Sequence, residues 1–176
     1  RPDKPIGGFY PITERDRLIA ETDWDFAETA DGLRRVVPSP APREIVELET
    51  IRLLFAQGRL VICAGGGGIP AARNQLGQLE GIAAVVDKDL SSALLATELG
   101  VDRLIMLTDV PAVYNHWGQE NPIAIPRMSV NEARQYHFSA GTMAPKVEAA
   151  CRFVEVTGKE AQIGSLDRLD KIIAGQ

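Results

Sequence analysis

Residues 81–108 read GIAAVVDKDLSSALLATELGVDRLIMLT, and three elements follow one another in them with a single residue, Val101, to spare. GIAAVV (81–86) is a short apolar run and predicts a buried strand. DKDLSSALLATELG (87–100) predicts a helix that stops at Gly100. DRLIMLT (102–108) is a further apolar run and predicts the next strand. Strand, helix and strand in such succession build an α/β fold with a mainly parallel sheet.

The alternation continues outward. REIVELETIRLLFAQG (43–58) places Ile45, Leu48, Ile51 and Phe55 at helical spacing and ends on Gly58. RLVICA (59–64) predicts another buried strand, and GGGGIP (65–70) a glycine loop at its end. Beyond residue 108, SVNEARQYH (129–137) predicts a helix opened by a serine. APKVEAACRFVEVTG (144–158) predicts a helix with Pro145 in its first turn. EAQIGS (160–165) predicts a strand and LDRLDKIIAG (166–175) a last helix. Residues 1–42 differ: they hold six prolines, and PSPAP (38–42) reads as a stiff connector. The expected organisation is a lid-like remnant and connector over 1–42 and an αβα portion over 43–176.

Composition narrows the function. The chain has 176 residues, a net charge of −5 and 24% charged residues. The acidic balance argues against nucleic acid or an acidic membrane surface as partner. No apolar run approaches a membrane span, and no signal peptide is visible. Cys63 and Cys151 sit in apolar surroundings, which suits buried thiols and a cytoplasmic location, with a disulfide between them as the alternative. His116 and His137 are the two histidines, so a histidine-based triad has little support. The chain begins at Arg1 rather than Met, which reads as a fragment or a processed product.

Ligands of parallel sheets sit at the carboxyl ends of the strands. Gly65, Gly66, Gly67 and Gly68 lie at one such end, where glycines allow close approach and N–H groups can face an anion. A plain tight turn is the alternative. Lys88 opens the helix after 81–86, between Asp87 and Asp89, at the end of a helix that disfavours a cation. Lys146 repeats the anomaly one residue after Pro145, with Gly141 allowing close approach and Thr142 available as a cap. One such lysine reads as solvated surface; two suggest a shared anion, as phosphoryl transfer requires. Asp89 would then orient the lysines or assist Mg²⁺. TDVPAVY (108–114) after the next strand either walls a nucleotide base or is a surface connection whose aromatics pack on the core. Lys4, in KPIGGFY (4–10), is either exposed or a lid lysine that reaches a phosphate.

Taken in order, KPIGGFY, RRVVPSPAPREIVELETI, VICAGGGGIP, VVDKDLSSALLA, LIMLTDVPAVYNHWG and GTMAPKVEAACRFV resemble the carbamate kinases of the amino acid kinase superfamily. The resemblance spans essentially the whole chain. It implies a three-layer αβα sandwich with a mainly parallel central sheet, here incomplete at the amino terminus, and a homodimer. It implies reversible transfer of phosphate between ATP and carbamate, using Mg²⁺, with carbamate, carbamoyl phosphate, ATP and ADP as small-molecule substrates. Carried over by position, Lys4 would reach the transferring phosphate from the covering subdomain. Lys88 and Lys146 would hold the phosphoryl group and nucleotide phosphates, and Asp89 would organise the two lysines. Asp109, Val110, Val113, Tyr114 and Met143 would line the nucleotide site together with Lys146. The metal ligands are not identified. Ala41 stands where the family has a lysine, and Ala144 where it has a glycine; the stretch QYHFSAG (135–141) is shortened. The family chain is nearly twice as long, and its GGN and HGNGPQVG loops are not in these residues. The alternatives are a related kinase with another carboxylate or phosphate acceptor, and a non-catalytic or truncated ATP-binding module.

Overall fold

The computed structural model describes residues 2–138 and 143–175. Gly141 and Thr142, expected above to allow close approach and to cap a helix, lie outside the described residues. The chain divides into two compact units, one of residues up to Ala41 with Gly66–Asp87, the other of Pro42–Gly65 with Lys88 onward. The stretch 66–87, read above with the αβα portion, clusters instead with the amino-terminal residues.

The first unit is antiparallel. Strand β1 (Lys4–Tyr10) and strand β2 (Asp25–Thr29) flank a central strand β3 (Gly32–Val37), whose Leu33, Val36 and Val37 are buried. The β1–β3 register slips between Ile6 and Phe9, where the chain carries Gly7 and Gly8 and Gly7 takes a φ of 67°. Helix α1 (Arg15–Glu21) lies between β1 and β2 in the chain. Gly32 is required: a Cβ there would lie 2.6 Å from the Tyr10 carbonyl oxygen, and its φ is 128°. A small hairpin, strand β4 (Ala71–Arg73) and strand β5 (Leu79–Gly81), is closed by Asn74, whose Oδ1 accepts the N–H groups of Leu76 and Gln78.

The second unit is built on a parallel ladder. After helix α2 (Leu48–Ala56) and helix α3 (Lys88–Leu99), strand β6 (Arg103–Thr108) pairs in register with strand β9 (Glu160–Ser165), from Arg103 opposite Glu160 to Thr108 opposite Ser165. Between them come an antiparallel hairpin, strand β7 (Val113–Asn115) with strand β8 (Ile123–Ile125), helix α4 (Val130–Ala133) and helix α5 (Met143–Thr157). One face of the ladder meets α3 and α5 in a core of Ala93, Ala96, Leu104, Met106, Ala149 and Phe153. Ala161 and Ile163 of β9 point into it. By strand alternation Gly164 faces the other way, where helix α6 (Leu169–Ile173) places Ile172: a Cβ at 164 would lie 2.6 Å from the Ile172 Cδ1. Helices on both faces of a parallel ladder are the αβα layering the sequence implied. Lys159 secures the end of α3 by donating to the carbonyl oxygens of Gly100 (2.7 Å) and Val101 (2.8 Å).

Two expected strands do not form among the described residues. Residues 59–64 join no ladder and leave Leu60 95% and Ile62 93% exposed. Residues 82–86 join none either, and the Val85 N–H is donated to the Pro38 carbonyl. A parallel strand has no hydrogen bonds of its own and exists only where a neighbour supplies them. The one parallel ladder among the described residues is β6–β9. The helix expected over 129–137 is shorter, α4, opened by Ser129 in a capping box with Glu132. No helix among the described residues is long and apolar enough to cross a membrane.

Candidate functional site

The first turns of α3 and α5 meet. Asp89 lies in the first turn of α3, where the partial positive charge of the helix end suits a carboxylate. Lys146 lies in the first turn of α5, and its Nζ donates to both oxygens of Asp89, at 2.9 and 3.0 Å. Asp89 is 8% and Lys146 9% exposed. A buried ammonium at a helix start is stable only with a partner of opposite charge, and Asp89 is that partner. Lys88 extends to solvent, its side chain 60% exposed, with Nζ 3.9 Å from Asp89 Oδ2. Two ammonium groups around one carboxylate leave an excess positive charge at two helix starts, an arrangement that attracts an anion.

One helical turn links this charge cluster to a cavity. Met143, three residues before Lys146 on α5, lines a cavity of about 720 Å³ at the carboxyl end of β6. Thr108, Asp109, Val110 and Tyr114 also line it, so Asp109, Val110, Tyr114 and Met143, four of the residues expected around a nucleotide, meet in one place. Val113 is not among the residues lining this cavity; it is buried with Ala133, Val147 and Cys151. Lys146 points to Asp89 rather than into the cavity.

The cavity also holds residues that the sequence did not single out: His116, Trp117, Glu132, Tyr136, His137 and Phe138. Both histidines of the chain are among them. The signal was present as two aromatic and histidine clusters, NHWG (115–118) and QYHF (135–138), but neither has a periodicity that tells a cavity wall from a core. The first cluster is held open by backbone geometry. His116 takes a φ of 58°, its N–H is donated to Asn115 Oδ1 at 3.0 Å, and its carbonyl accepts the Gln119 N–H at 3.1 Å. Trp117 then lies against Tyr114, ring centroids 5.2 Å apart and tilted by 42°. Glu132 is engaged by Ser129, whose backbone N–H and hydroxyl hold its carboxyl below the usual range.

The remaining expected residues lie elsewhere. Lys4 is on β1, with its Nζ 3.9 Å from Asp87 Oδ2 in the same unit. In the glycine loop, Gly65 belongs to the second unit and Gly66, Gly67 and Gly68 to the first. The Gly65 N–H is donated to the Cys63 carbonyl at 2.7 Å, so that donor is committed within the chain. Among the described residues no group of three or more His, Cys, Asp or Glu side chains could hold a metal ion. Asp89, the carboxylate expected to assist Mg²⁺, has both oxygens occupied by Lys146.

Comparison with known proteins follows the same lines. A family model described as the amino acid kinase family matches residues 10–165. The carbamate kinase of Haemophilus influenzae is 46% identical over 175 residues, covering 99% of this chain and 56% of that protein. A crystal structure from Aeropyrum pernix K1 superposes with a TM-score of 0.91 at 44% identity, covering 98% of this chain and 57% of the other. The carbamate kinase from Giardia lamblia bound to AMP-PNP superposes with a TM-score of 0.90 at 39% identity, covering 99% and 57%. The chain thus spans a little over half the length of the relatives it matches.

Proposed function

The chain belongs to the amino acid kinase family, and from that premise we propose that it serves phosphoryl transfer between ATP and carbamate, carbamoyl phosphate and ADP giving ATP and carbamate. The observation that carries the reading is the joint between α3 and α5, where Lys146 and Lys88 share Asp89 beside the cavity lined by Met143. Transfer of a phosphoryl group spreads negative charge over its equatorial oxygens, and fixed positive groups lower its barrier. Lys88 has the exposure to touch that group. Lys146, held by Asp89, supplies a second charge whose position is set in advance. Asp89 is a positioning residue. Transfer is direct, from nucleotide oxygen to carbamate oxygen, with no histidine intermediate.

The cavity takes the nucleoside, with Tyr114, Val110 and Met143 as apolar wall and Asp109 at its polar edge. The Giardia lamblia carbamate kinase carries a nucleotide analogue, which supports a nucleotide here. Mg²⁺ would accompany the nucleotide phosphates and neutralise part of their charge. Lys4 has a part in transfer in this reading, as the resemblance implies. The glycine loop has the phosphate role, with Gly65 the least suited member. The working form is a cytoplasmic homodimer.

The test is ATP formation from ADP with carbamoyl phosphate or acetyl phosphate as donor, together with ADP formation from ATP with carbamate or glutamate-type carboxylates as acceptor. ATP formation restricted to carbamoyl phosphate is expected. Turnover with another acceptor alone makes the protein a related kinase. The exposed, unladdered 59–64 segment favours a second reading, a nucleotide-binding module without turnover. ATP binding with no transfer to any acceptor would establish that reading instead.

A further inference from the structure

We infer that Trp117 is a nucleobase-contact residue that sets affinity for the purine nucleotide without touching the chemistry; this rests on the kinase reading above. Trp117 lines the cavity and is 55% exposed, while its neighbour Tyr114 is half-buried in the β7–β8 hairpin. Uncovered tryptophan beside a cavity of about 720 Å³ is what a planar base would cover, since every base offers a π-face to an aromatic ring.

The backbone supports the same assignment independently. His116 is one of two non-glycine residues with positive φ among the described residues, a conformation uncommon outside glycine although histidine reaches it more readily than most. Here two hydrogen bonds impose it, from the His116 N–H to Asn115 and from Gln119 to the His116 carbonyl. Gly118, at φ 82°, completes the reversal. Between these two left-handed residues Trp117 stays 55% exposed while its ring meets Tyr114 at a tilt of 42°. The reacting phosphates belong to Lys88 and Lys146, on the first turns of α3 and α5. Loss of the indole would therefore weaken binding and spare the transfer step.

The chain has two tryptophans, Trp24 and Trp117. In a Trp24→Phe background, Trp117 is the sole indole emitter, and titration with ATP, ADP and inorganic tripolyphosphate separates base from phosphate. Emission is expected to change with ATP and ADP and stay constant with tripolyphosphate. Trp117→Ala should weaken ATP about 10-fold, leave tripolyphosphate affinity unchanged, and raise KM for nucleotide at constant kcat. Trp117→Phe should restore most of the affinity. Equal ATP affinity in Trp117→Ala, or an equal loss for tripolyphosphate, would overturn the inference while the kinase reading stands. Absence of nucleotide binding in equilibrium dialysis of the unsubstituted chain would overturn both.

Discussion

Lys146 and Asp89 close a two-pronged hydrogen-bonded ion pair, at 2.9 and 3.0 Å, between helices 57 positions apart in the chain. Neither partner is tolerable alone at that depth. Asp89→Asn leaves the ammonium buried without its counter-charge and is expected to cost about 3–5 kcal/mol of stability. Replacing both residues with leucine should recover most of that loss. Urea unfolding of the single and double variants decides it: equal losses would mean that the pair is not a coupled unit.

Lys88 is the opposite case. Its side chain is 60% exposed and its approach to Asp89, 3.9 Å, is loose. Lys88→Ala should change stability by less than about 0.5 kcal/mol. On the kinase reading it should lower the rate of ATP formation by about 100-fold or more. A variant with normal turnover would remove Lys88 from the transfer step.

Glu132 gives a pH dependence with a defined sign. The Ser129 N–H and hydroxyl lower its pKa in the folded chain. The capping box therefore contributes stability above the ordinary glutamate value, about 4.3, and loses it as pH falls through the lowered folded value. Carboxyl NMR titration should find Glu132 protonating below the ordinary glutamate value on acidification. Ser129→Ala removes the hydroxyl but keeps the backbone N–H, the larger cause, and should raise the value only part of the way; a Glu132 that titrates at the ordinary glutamate value in the unsubstituted chain would contradict the cap.

The two cysteines should react at different rates. Cys151 is buried and its thiol is pushed up, first by burial and then by the nearby Glu148, so little thiolate forms at neutral pH. Cys63 is partly exposed. Iodoacetamide at pH 7.5 should label Cys63 well before Cys151, read by peptide mass spectrometry. Labelling in the reverse order would contradict the packing of α5.

The sequence made the local elements and the charge anomaly legible, and the partners less so. Gly100 and Gly158 marked helix ends, and both take positive φ in the structure. Lys88 and Lys146 stood out because each lies where a helix disfavours a cation, and the structure joins them through Asp89. RLVICA could not reveal that it has no ladder, because an apolar run specifies a preference for burial and says nothing about who supplies the neighbouring hydrogen bonds. Val113 makes a related point: from sequence, a valine lining a cavity and a valine buried in a core look alike. His116 and Trp117 escaped because their role comes from a left-handed turn, which a histidine does not announce as a glycine would.

The β6–β9 register has a consequence for how the site comes into being. Arg103 faces Glu160, and every residue that lines the cavity lies in the stretch of chain closed off by that pairing. Closing so long a loop is slow, and little is gained until the ladder zips. Nucleotide affinity should therefore appear late and all at once during refolding, in the same kinetic phase as the β6–β9 pairing. Stopped-flow refolding followed by Trp117 emission with and without ATP tests this; affinity arising in an earlier phase would mean that the cavity assembles without its ladder. A site made this way has no half-built form that could sequester nucleotide before the protein is finished.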